Sequence, residues 1–161
     1  MKKLYQIKSS KIHGKGIFAS QDISKNTKII EYVGNRISKE EGNQIAQKQY
    51  EKSKKTGSGS VYVFELGTHD IDGMVSWNPA KYINYSCNPN CKYKIINNRI
   101  WIVSLKDIKK GEELSYDYGH DLQDYKLHRC KCKSKNCIGY IIGKRYRKKF
   151  AKLIKTKHTH L

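Results

Sequence analysis

The 161-residue chain has the length of a single domain, enough to bury one modest hydrophobic core. It carries 33 Lys and Arg against 14 Asp and Glu, a formal net charge of +19, which draws a protein to polyanions without naming one. A high content of Lys, Ile, Asn and Tyr is equally typical of proteins encoded by AT-rich genomes, so the charge has this second explanation. No apolar run reaches the roughly 18 residues that span a bilayer, and none follows the basic start as in a secretory signal, so we expect a soluble intracellular protein.

The first third of the chain predicts short strands followed by a helix. Apolar and aromatic runs at residues 4–7, 16–19 and 29–33, separated by Gly, Asn and Ser, indicate a small β-meander. Ser38, with Glu41 three residues later, is typical of a capping box and predicts a solvent-facing helix over residues 38–53. Residues 56–60, rich in Gly and Ser, predict a flexible loop.

The remainder is again mostly β. Strands are predicted at residues 61–66 and 71–72, and residues 92–96 and 100–104 flank an Asn97-Asn98 turn as in a hairpin. A turn at residues 109–113 precedes a strand over residues 114–118. Basic residues and helix-like apolar spacing predict a helix over residues 143–157. We therefore expect a mostly β protein with a few short helices, in one domain.

The cysteines suggest a metal site. Cys130, Cys132 and Cys137 lie close together in a Lys-rich loop, and a tetrahedral zinc site needs a fourth ligand. Cys87 and Cys91 are the only other cysteines, and the local pattern does not choose between them. The alternatives are reduced thiols without a metal and, less well matched by this spacing, an iron-sulfur cluster.

Four motifs in order resemble those of SET-domain protein-lysine methyltransferases. They are Ile-His-Gly-Lys-Gly-Ile-Phe-Ala at 12–19, Glu-Tyr-Val-Gly at 31–34, Lys-Tyr-Ile-Asn-Tyr-Ser-Cys-Asn-Pro-Asn-Cys at 81–91 and Gly-Glu-Glu-Leu-Ser-Tyr-Asp-Tyr at 111–118. Residues 130–139 resemble the post-SET segment that follows such domains. The resemblance implies a SET domain over residues 1–128, a post-SET zinc-binding segment over 129–142 and a basic C-terminal tail over 143–161.

The resemblance also implies a fold and a set of ligands. The fold is a knot-like arrangement of small sheets in which the segments of Asn84 and Tyr118 are threaded together. Cys87 becomes the fourth ligand of one structural Zn²⁺, which leaves Cys91 as a spare thiol. S-adenosylmethionine, the methyl donor, is expected to contact His13, Gly14, Lys15, Gly16, Tyr62, Lys81, Tyr82, Asn84, Tyr85 and Tyr118.

Two positions depart from the family pattern. Tyr85 stands where a His usually follows the Asn, and Lys81 stands where Arg is usual, although Lys cannot form the planar fork of Arg to a carboxylate. Adenine recognition survives at Tyr85 if that position acts through its backbone. If instead the imidazole of the usual His supports the threaded segment, that support is lost with Tyr85.

The expected chemistry needs no nucleophilic side chain. The sulfonium of S-adenosylmethionine is already activated, so the enzyme must deliver a neutral lysine amine in line with the methyl group. A dry channel beside a positive charge favours that neutral amine, whose pKa in water is about 10.4. By resemblance, Tyr118 is the catalytic tyrosine and Tyr116 limits the number of methyl groups, so we expect mainly mono- or dimethyl product.

Several alternatives remain at this stage. Histone lysine is the leading substrate, in the nucleus or in a host's nucleus if the source is a pathogen or a virus, and a non-histone basic protein is the second. The basic tail could dock on nucleosomal DNA, or it could be only a solvated helix face. A zinc-stabilised basic module without catalysis would explain the charge, but it has no need of the motifs around Asn84 and Tyr118. A dinucleotide-binding α/β fold is excluded because no strand leads into a Gly-x-Gly-x-x-Gly turn and a long helix.

Overall fold

The computed structural model describes residues 3–56, 61–123 and 125–158. Within these residues the chain forms small sheets, two helices and three short 3-10 turns at Pro79–Tyr82, Tyr125–Leu127 and Lys144–Tyr146. The elements are β1 Tyr5–Ser9, β2 Lys15–Ala19, β3 Lys28–Tyr32, β4 Asn35–Ile37, α1 Lys39–Thr56, β5 Val63–Leu66, β6 His69–Asp72, β7 Asn84–Tyr85, β8 Cys91–Ile96, β9 Arg99–Ser104, β10 Ser115–Tyr116 and α2 Arg147–His158. The mostly β fold class is confirmed.

The strands in the described residues form four small sheets rather than one. β1 and β2 make a hairpin, β4, β6 and β5 make an antiparallel sheet, and β3, β9 and β8 make another. We expected the first three strands to form a meander, and this prediction is wrong for the third strand. β3 pairs with β9, about 70 residues further along the chain, because alternating apolar residues specify a buried face without specifying the partner strand.

The structure agrees closely with the sequence-based predictions for elements that depend only on residues nearby in the chain. The Ser38 Oγ accepts from the Glu41 amide at 3.1 Å, and the Glu41 carboxylate accepts from the Ser38 amide at 2.9 Å, which is the predicted capping box. Asn97 and Asn98 both adopt a positive φ between β8 and β9, as a two-residue hairpin turn requires. Both helices are present, and the predicted loop at residues 56–60 lies almost wholly outside the described residues.

The fold brings two distant segments side by side. β7 and β10 form a short parallel pair in which Asn84 lies opposite Ser115 and Tyr85 lies opposite Tyr116. These are the two segments that were expected to be threaded together. Beneath them lies a buried core rich in isoleucine, including Ile17, Ile83 and Ile102. No helix within the described residues combines the length and the apolar character needed to cross a bilayer.

Candidate active site and metal centre

One cleft of about 1070 Å³ collects most of the residues that the sequence singled out. It is bounded by the loop after β1, the segment before β5, the turn Pro79–Tyr82 and the segment after β10. Nine of the predicted catalytic and cofactor-binding residues line it, and they are His13, Gly14, Lys15, Tyr62, Lys81, Tyr82, Asn84, Tyr116 and Tyr118. The lining does not include Gly16 or Tyr85.

The loop at one end of the cleft is organised by a single carboxylate oxygen. Glu113 Oε1 accepts from the Ser10 hydroxyl at 2.7 Å and from the Asn84 side-chain amide at 2.8 Å. The same amide lies 3.2 Å from the Lys15 carbonyl and 3.4 Å from the His13 carbonyl. Asn84 and Glu113 therefore hold the backbone of the loop that carries His13 and Lys15.

The two glycines of this loop have different roles. Gly14 adopts a φ of +49°, which disfavours residues with a side chain, and a Cβ there would meet no atom within 4 Å. Gly16 has an ordinary φ, but a Cβ there would lie 2.5 Å from Glu113 Oε1. Gly16 was expected to contact the methyl donor, and this stays a prediction. In the structure, Gly16 makes room for Glu113.

The floor beside this loop is aromatic and positively charged. The ammonium groups of Lys15 and Lys81 each lie 5.3 Å from the centre of the Tyr82 ring. Lys81 also donates to the Val75 carbonyl at 2.7 Å, which fixes its position near the cleft. A planar heterocycle can stack on Tyr82, and a carboxylate can pair with either ammonium group.

The opposite part of the cleft is lined by tyrosines. The Tyr118 ring packs against those of Tyr116, at 4.9 Å between centres, and Tyr85, at 5.6 Å. Its hydroxyl donates to the Ile83 carbonyl at 2.8 Å. Tyr32 and Tyr93 also line the cleft. Both rings pack against Phe64, with 5.3 Å between ring centres for Tyr32 and 4.9 Å for Tyr93.

Burial keeps this tyrosine cluster protonated. Desolvation is the main cause that raises the pKa of Tyr118 well above its ordinary value, and the neighbouring hydroxyls of Tyr116, Tyr62 and Tyr32 raise it further. Desolvation likewise raises the pKa of Tyr116. At neutral pH these side chains therefore act as neutral hydroxyls and aromatic faces rather than as anionic bases.

Four cysteines converge at one edge of the cleft. The Sγ atoms of Cys87, Cys130, Cys132 and Cys137 all lie within 4.8 Å of one another, with Cys87 Sγ 3.9 Å from Cys130 and 4.0 Å from Cys137. A tetrahedron of sulfurs about 2.3 Å from a central Zn²⁺ has edges of about 3.8 Å. The donor set and its spacing therefore fit one closed, four-thiolate site.

The surroundings of these thiols shift their pKa values in opposite directions, because burial raises the pKa of Cys130 and of Cys137 whereas hydrogen bonds lower that of Cys132. Burial acts to raise the pKa of Cys132, but hydrogen bonds with Ser134 and from the Cys87 amide outweigh it and lower the pKa to about 6. Backbone amides of Cys132 and Gly139 approach the sulfurs of Cys130 and Cys137 at 3.4 Å. Cys91 lies elsewhere in the core, where burial raises the pKa of its thiol to about 12.

Tyr85 points away from the cleft and into the junction with the C-terminal segment. Its hydroxyl donates to the Ile142 carbonyl at 2.7 Å and accepts from the Ile142 amide at 3.3 Å and from Arg147 at 3.0 Å. Only its backbone, paired in β7, could face a ligand in the cleft. The phenol therefore does not stand in for an imidazole at the ligand.

Some residues that shape this region were not identified from the sequence. Glu113 was read only as part of a motif, Asp117 as part of a strand, and Arg147 as one of many basic residues. Tyr32 and Tyr93 sit in strands, where aromatic residues are common as core packing. Contacts between segments far apart in the chain determine the positions of these side chains. A local sequence pattern does not indicate such contacts.

Comparison with known proteins identifies one family. The model of the SET domain matches residues 14–119. The chain is 37% identical over 145 residues to "Histone-lysine N-methyltransferase set-2" of Caenorhabditis elegans and 44% identical over 135 residues to "Histone-lysine N-methyltransferase trr" of Drosophila melanogaster. It is 37% identical over 148 residues to "Histone-lysine N-methyltransferase, H3 lysine-4 specific" of Aspergillus oryzae.

The similarity covers most of this chain but little of those proteins. The matches include 87%, 80% and 87% of the chain, and they correspond to 9%, 5% and 12% of the worm, fly and fungal proteins. What is shared is therefore a stretch of about the length of one domain. The partners and regulation of those much longer proteins do not transfer with it.

Proposed function

The chain belongs to the SET domain family, and from that premise we propose that it is a protein-lysine N-methyltransferase that uses S-adenosylmethionine. The proposed substrate is a histone lysine, because the relatives carry that activity in their names. The observation that carries the proposal is the cleft itself. A loop built for a polar ligand, an aromatic floor with two ammonium groups and a buried tyrosine cluster all face one cavity.

Each part of the cleft has a proposed task. The loop at His13, Gly14 and Lys15 and the side chain of Asn84 would hold the nucleoside, while Gly16 acts indirectly by admitting Glu113. Tyr82 would stack on the adenine, and Lys81 would pair with the carboxylate. Tyr62 and the Tyr85 backbone would complete the pocket. When bound, S-adenosylmethionine supplies a methyl group on a positively charged sulfur.

The tyrosine cluster would prepare the lysine. Desolvation among the rings of Tyr32, Tyr116 and Tyr118 disfavours the charged ammonium and so favours the amine that can react. The neutral tyrosine hydroxyls would accept hydrogen bonds from the amine and so orient it in the cleft. Because the Tyr118 pKa is raised, the proton of the substrate lysine must leave to solvent before transfer rather than pass to a tyrosinate.

We propose one structural zinc ion on Cys87, Cys130, Cys132 and Cys137. Such an ion would join residue 87, two positions beyond β7, to the segment that follows β10, and so would brace the cleft from outside. We also keep the division into residues 1–128, 129–142 and 143–161 as a proposal for the SET domain, the zinc-binding segment and the basic tail.

The decisive experiment measures methyl transfer from labelled S-adenosylmethionine to core histones and nucleosomes. Tyr118→Phe should abolish or strongly reduce labelling while zinc content and folding stay normal, and Tyr5→Phe, on β1, is the matched control with full activity. Cofactor binding by calorimetry is measured in parallel. Absence of both labelling and cofactor binding in the wild-type protein would overturn the assignment in favour of a non-catalytic basic module.

The charge distribution favours a second property, contact with nucleosomal DNA. Residues 125–161 contain 13 Lys and Arg and no Asp or Glu, whereas residues 1–124 contain 20 against 14. The C-terminal segment therefore carries +13 of the net +19. Lys131, Lys133 and Lys135 are exposed on the cysteine loop, and Lys148 and Lys149 are exposed on α2. We propose that this segment binds phosphates when the enzyme acts on chromatin, in its own or a host's nucleus.

The DNA contact is tested by the salt dependence of binding. Replacing Lys131, Lys148 and Lys149 by Gln should weaken duplex DNA binding and flatten its logarithmic dependence on salt by up to about 2.7 units for three lost phosphate contacts. Turnover of a histone peptide should stay unchanged. Replacing three exposed lysines of the first 124 residues, Lys25, Lys48 and Lys94, is the matched control. Equal losses in both variants would mean that only net charge matters.

A further inference from the structure

Arg147, the first residue of α2, connects three separate parts of the molecule. Its Nη1 donates to the Cys87 carbonyl at 2.7 Å, its Nε donates to the Ile142 carbonyl at 3.2 Å, and its Nη2 donates to the Tyr85 hydroxyl at 3.0 Å. The Asp117 carboxylate lies 3.8 Å from the same Nη2. The guanidinium therefore contacts a proposed zinc ligand, strand β7 and the residue before Tyr118.

The Tyr85 hydroxyl is fully used in this arrangement. A phenol can donate one hydrogen bond and accept two, and here it donates to Ile142 and accepts from Ile142 and Arg147. The side chain is 2% exposed, so each of these bonds replaces one that water would otherwise supply. A neutral imidazole has only one donor and one acceptor, so the His usual at this position could not satisfy the same three partners.

The segment around Arg147 also touches the residues that follow β10. The Lys144 amide donates to the Asp117 carboxylate at 2.7 Å, and the Gly143 amide donates to the His120 carbonyl at 2.7 Å. Gly143 lies so close to Gly119 that a Cβ on it would sit 2.8 Å from the Gly119 carbonyl carbon. Tyr118 is therefore flanked in sequence by residues bound to the C-terminal segment, and its ring packs on Tyr85.

We propose that Arg147 is a positioning residue, which acts through the Tyr85 hydroxyl to tie the cysteine site to the wall of the cleft behind Tyr118. Residues 142–147 are then part of the active site, although they belong to the tail by sequence. Tyr85 and Arg147 form a matched pair that replaces the usual imidazole. The proposal rests on the proposed methyltransferase function for its kinetic consequence, but its structural consequence can be measured without turnover.

Arginine suits this position for a geometric reason. Its rigid fork supplies several donors in one plane, and three different acceptors are used here, whereas a lysine ammonium is a single compact donor group. Removing the guanidinium leaves the Cys87 carbonyl and the Tyr85 hydroxyl short of a partner. Loss of such supporting contacts around a metal site typically lowers metal affinity or activity by about 10- to 100-fold.

The test compares Arg147→Met and Arg147→Lys with Lys25→Met, a change at an exposed lysine between β2 and β3. Zinc release to a coloured chelator, S-adenosylmethionine affinity by calorimetry, and kcat and KM for a histone peptide are measured at a temperature where all variants are folded. We expect Arg147→Met to accelerate zinc release and lower kcat, each by about 10- to 100-fold, with peptide KM within about twofold. Arg147→Lys should be intermediate, and Lys25→Met should match the wild type.

A double-mutant cycle then tests the pairing. In a Tyr85→Phe background, Arg147→Met should cost clearly less than in the wild type, because the shared hydrogen bond is already absent. Independent, additive effects would overturn the coupling, and normal zinc release and cofactor affinity in Arg147→Met would overturn the positioning role. If the wild-type protein methylates nothing, the proposed function fails, while zinc release and cofactor binding still decide the role of Arg147.

Discussion

Removal of the Glu113 carboxylate should loosen the loop at the end of the cleft. Within the part of the chain that the structure describes, both the Ser10 hydroxyl and the Asn84 amide donate to Oε1 of this carboxylate. Glu113→Ala leaves both donors without this acceptor, while Glu113→Gln keeps an oxygen at the same place. The two substitutions therefore separate the value of the acceptor from the value of the negative charge.

The size of the effect follows from these contacts. A hydrogen bond to a charged group is worth about 1.5 to 3 kcal/mol, so two of them set an upper range of about 3 to 6 kcal/mol. Asn84 can still donate to the carbonyls of Lys15 and His13, at 3.2 and 3.4 Å, and this recovers part of the loss. We expect about 2 kcal/mol for Glu113→Ala, roughly a 30-fold change in an equilibrium constant.

Urea unfolding measures this difference directly, and calorimetry of S-adenosylmethionine binding reports how much of it reaches the loop. Glu113→Ala should lower the free energy of unfolding by about 2 kcal/mol and weaken cofactor binding, whereas Glu113→Gln should lose less than about half as much. If Glu113→Gln is as damaging as Glu113→Ala, the shared oxygen is not the important feature. The negative charge would then explain the effect.

Three further outcomes are expected. Tyr116→Phe removes a hydroxyl from the buried cluster and should shift the product from mono-methyl toward di- and trimethyl lysine, which mass spectrometry of a histone peptide detects. Chelation of zinc should lower the midpoint temperature of thermal unfolding. The freed thiolates should then take up protons, and this is measured as a rise in pH in weakly buffered solution; the thiolates are Cys87, Cys130, Cys132 and Cys137. The third outcome concerns Cys91. Its native pKa of about 12 exceeds the unfolded value of about 8.5, so its contribution to stability is complete below pH 8.5 and is lost as the pH rises toward 12. The stability advantage of the wild type over Cys91→Ala should therefore shrink by about 1.4 kcal/mol per pH unit in urea titrations above pH 9.

The sequence predicted best those features that depend on neighbours in the chain. The capping box of Ser38 and Glu41, the Asn97-Asn98 turn and the basic helix α2 each need only local geometry, and each is present. The partner of β3 was predicted wrongly because the run of residues 28–32 says which face is buried but not which strand lies beside it. Pairing across 70 residues is a property of the whole fold.

The cleft shows the same division. Its recognised motifs assembled as a family resemblance implied, but that resemblance, not periodicity, selected Cys87 over Cys91 for the cysteine cluster. The contacts of Glu113 and Arg147 were not predicted, because a carboxylate and a guanidinium are common at the surface of so basic a protein. Only the structure shows that Ser10, Asn84 and Glu113 converge on one oxygen atom.

The dependence of β7 on residues 142–147 has a consequence for synthesis on the ribosome. Tyr85 and Cys87 are made early, but their partners Ile142, Arg147 and Cys137 follow some 50 to 60 residues later. A nascent chain that has exposed everything up to β10 still lacks one side of the Tyr85 contacts. The cleft can therefore close only after this late stretch has emerged, which leaves the half-made domain dependent on its local hairpins until then.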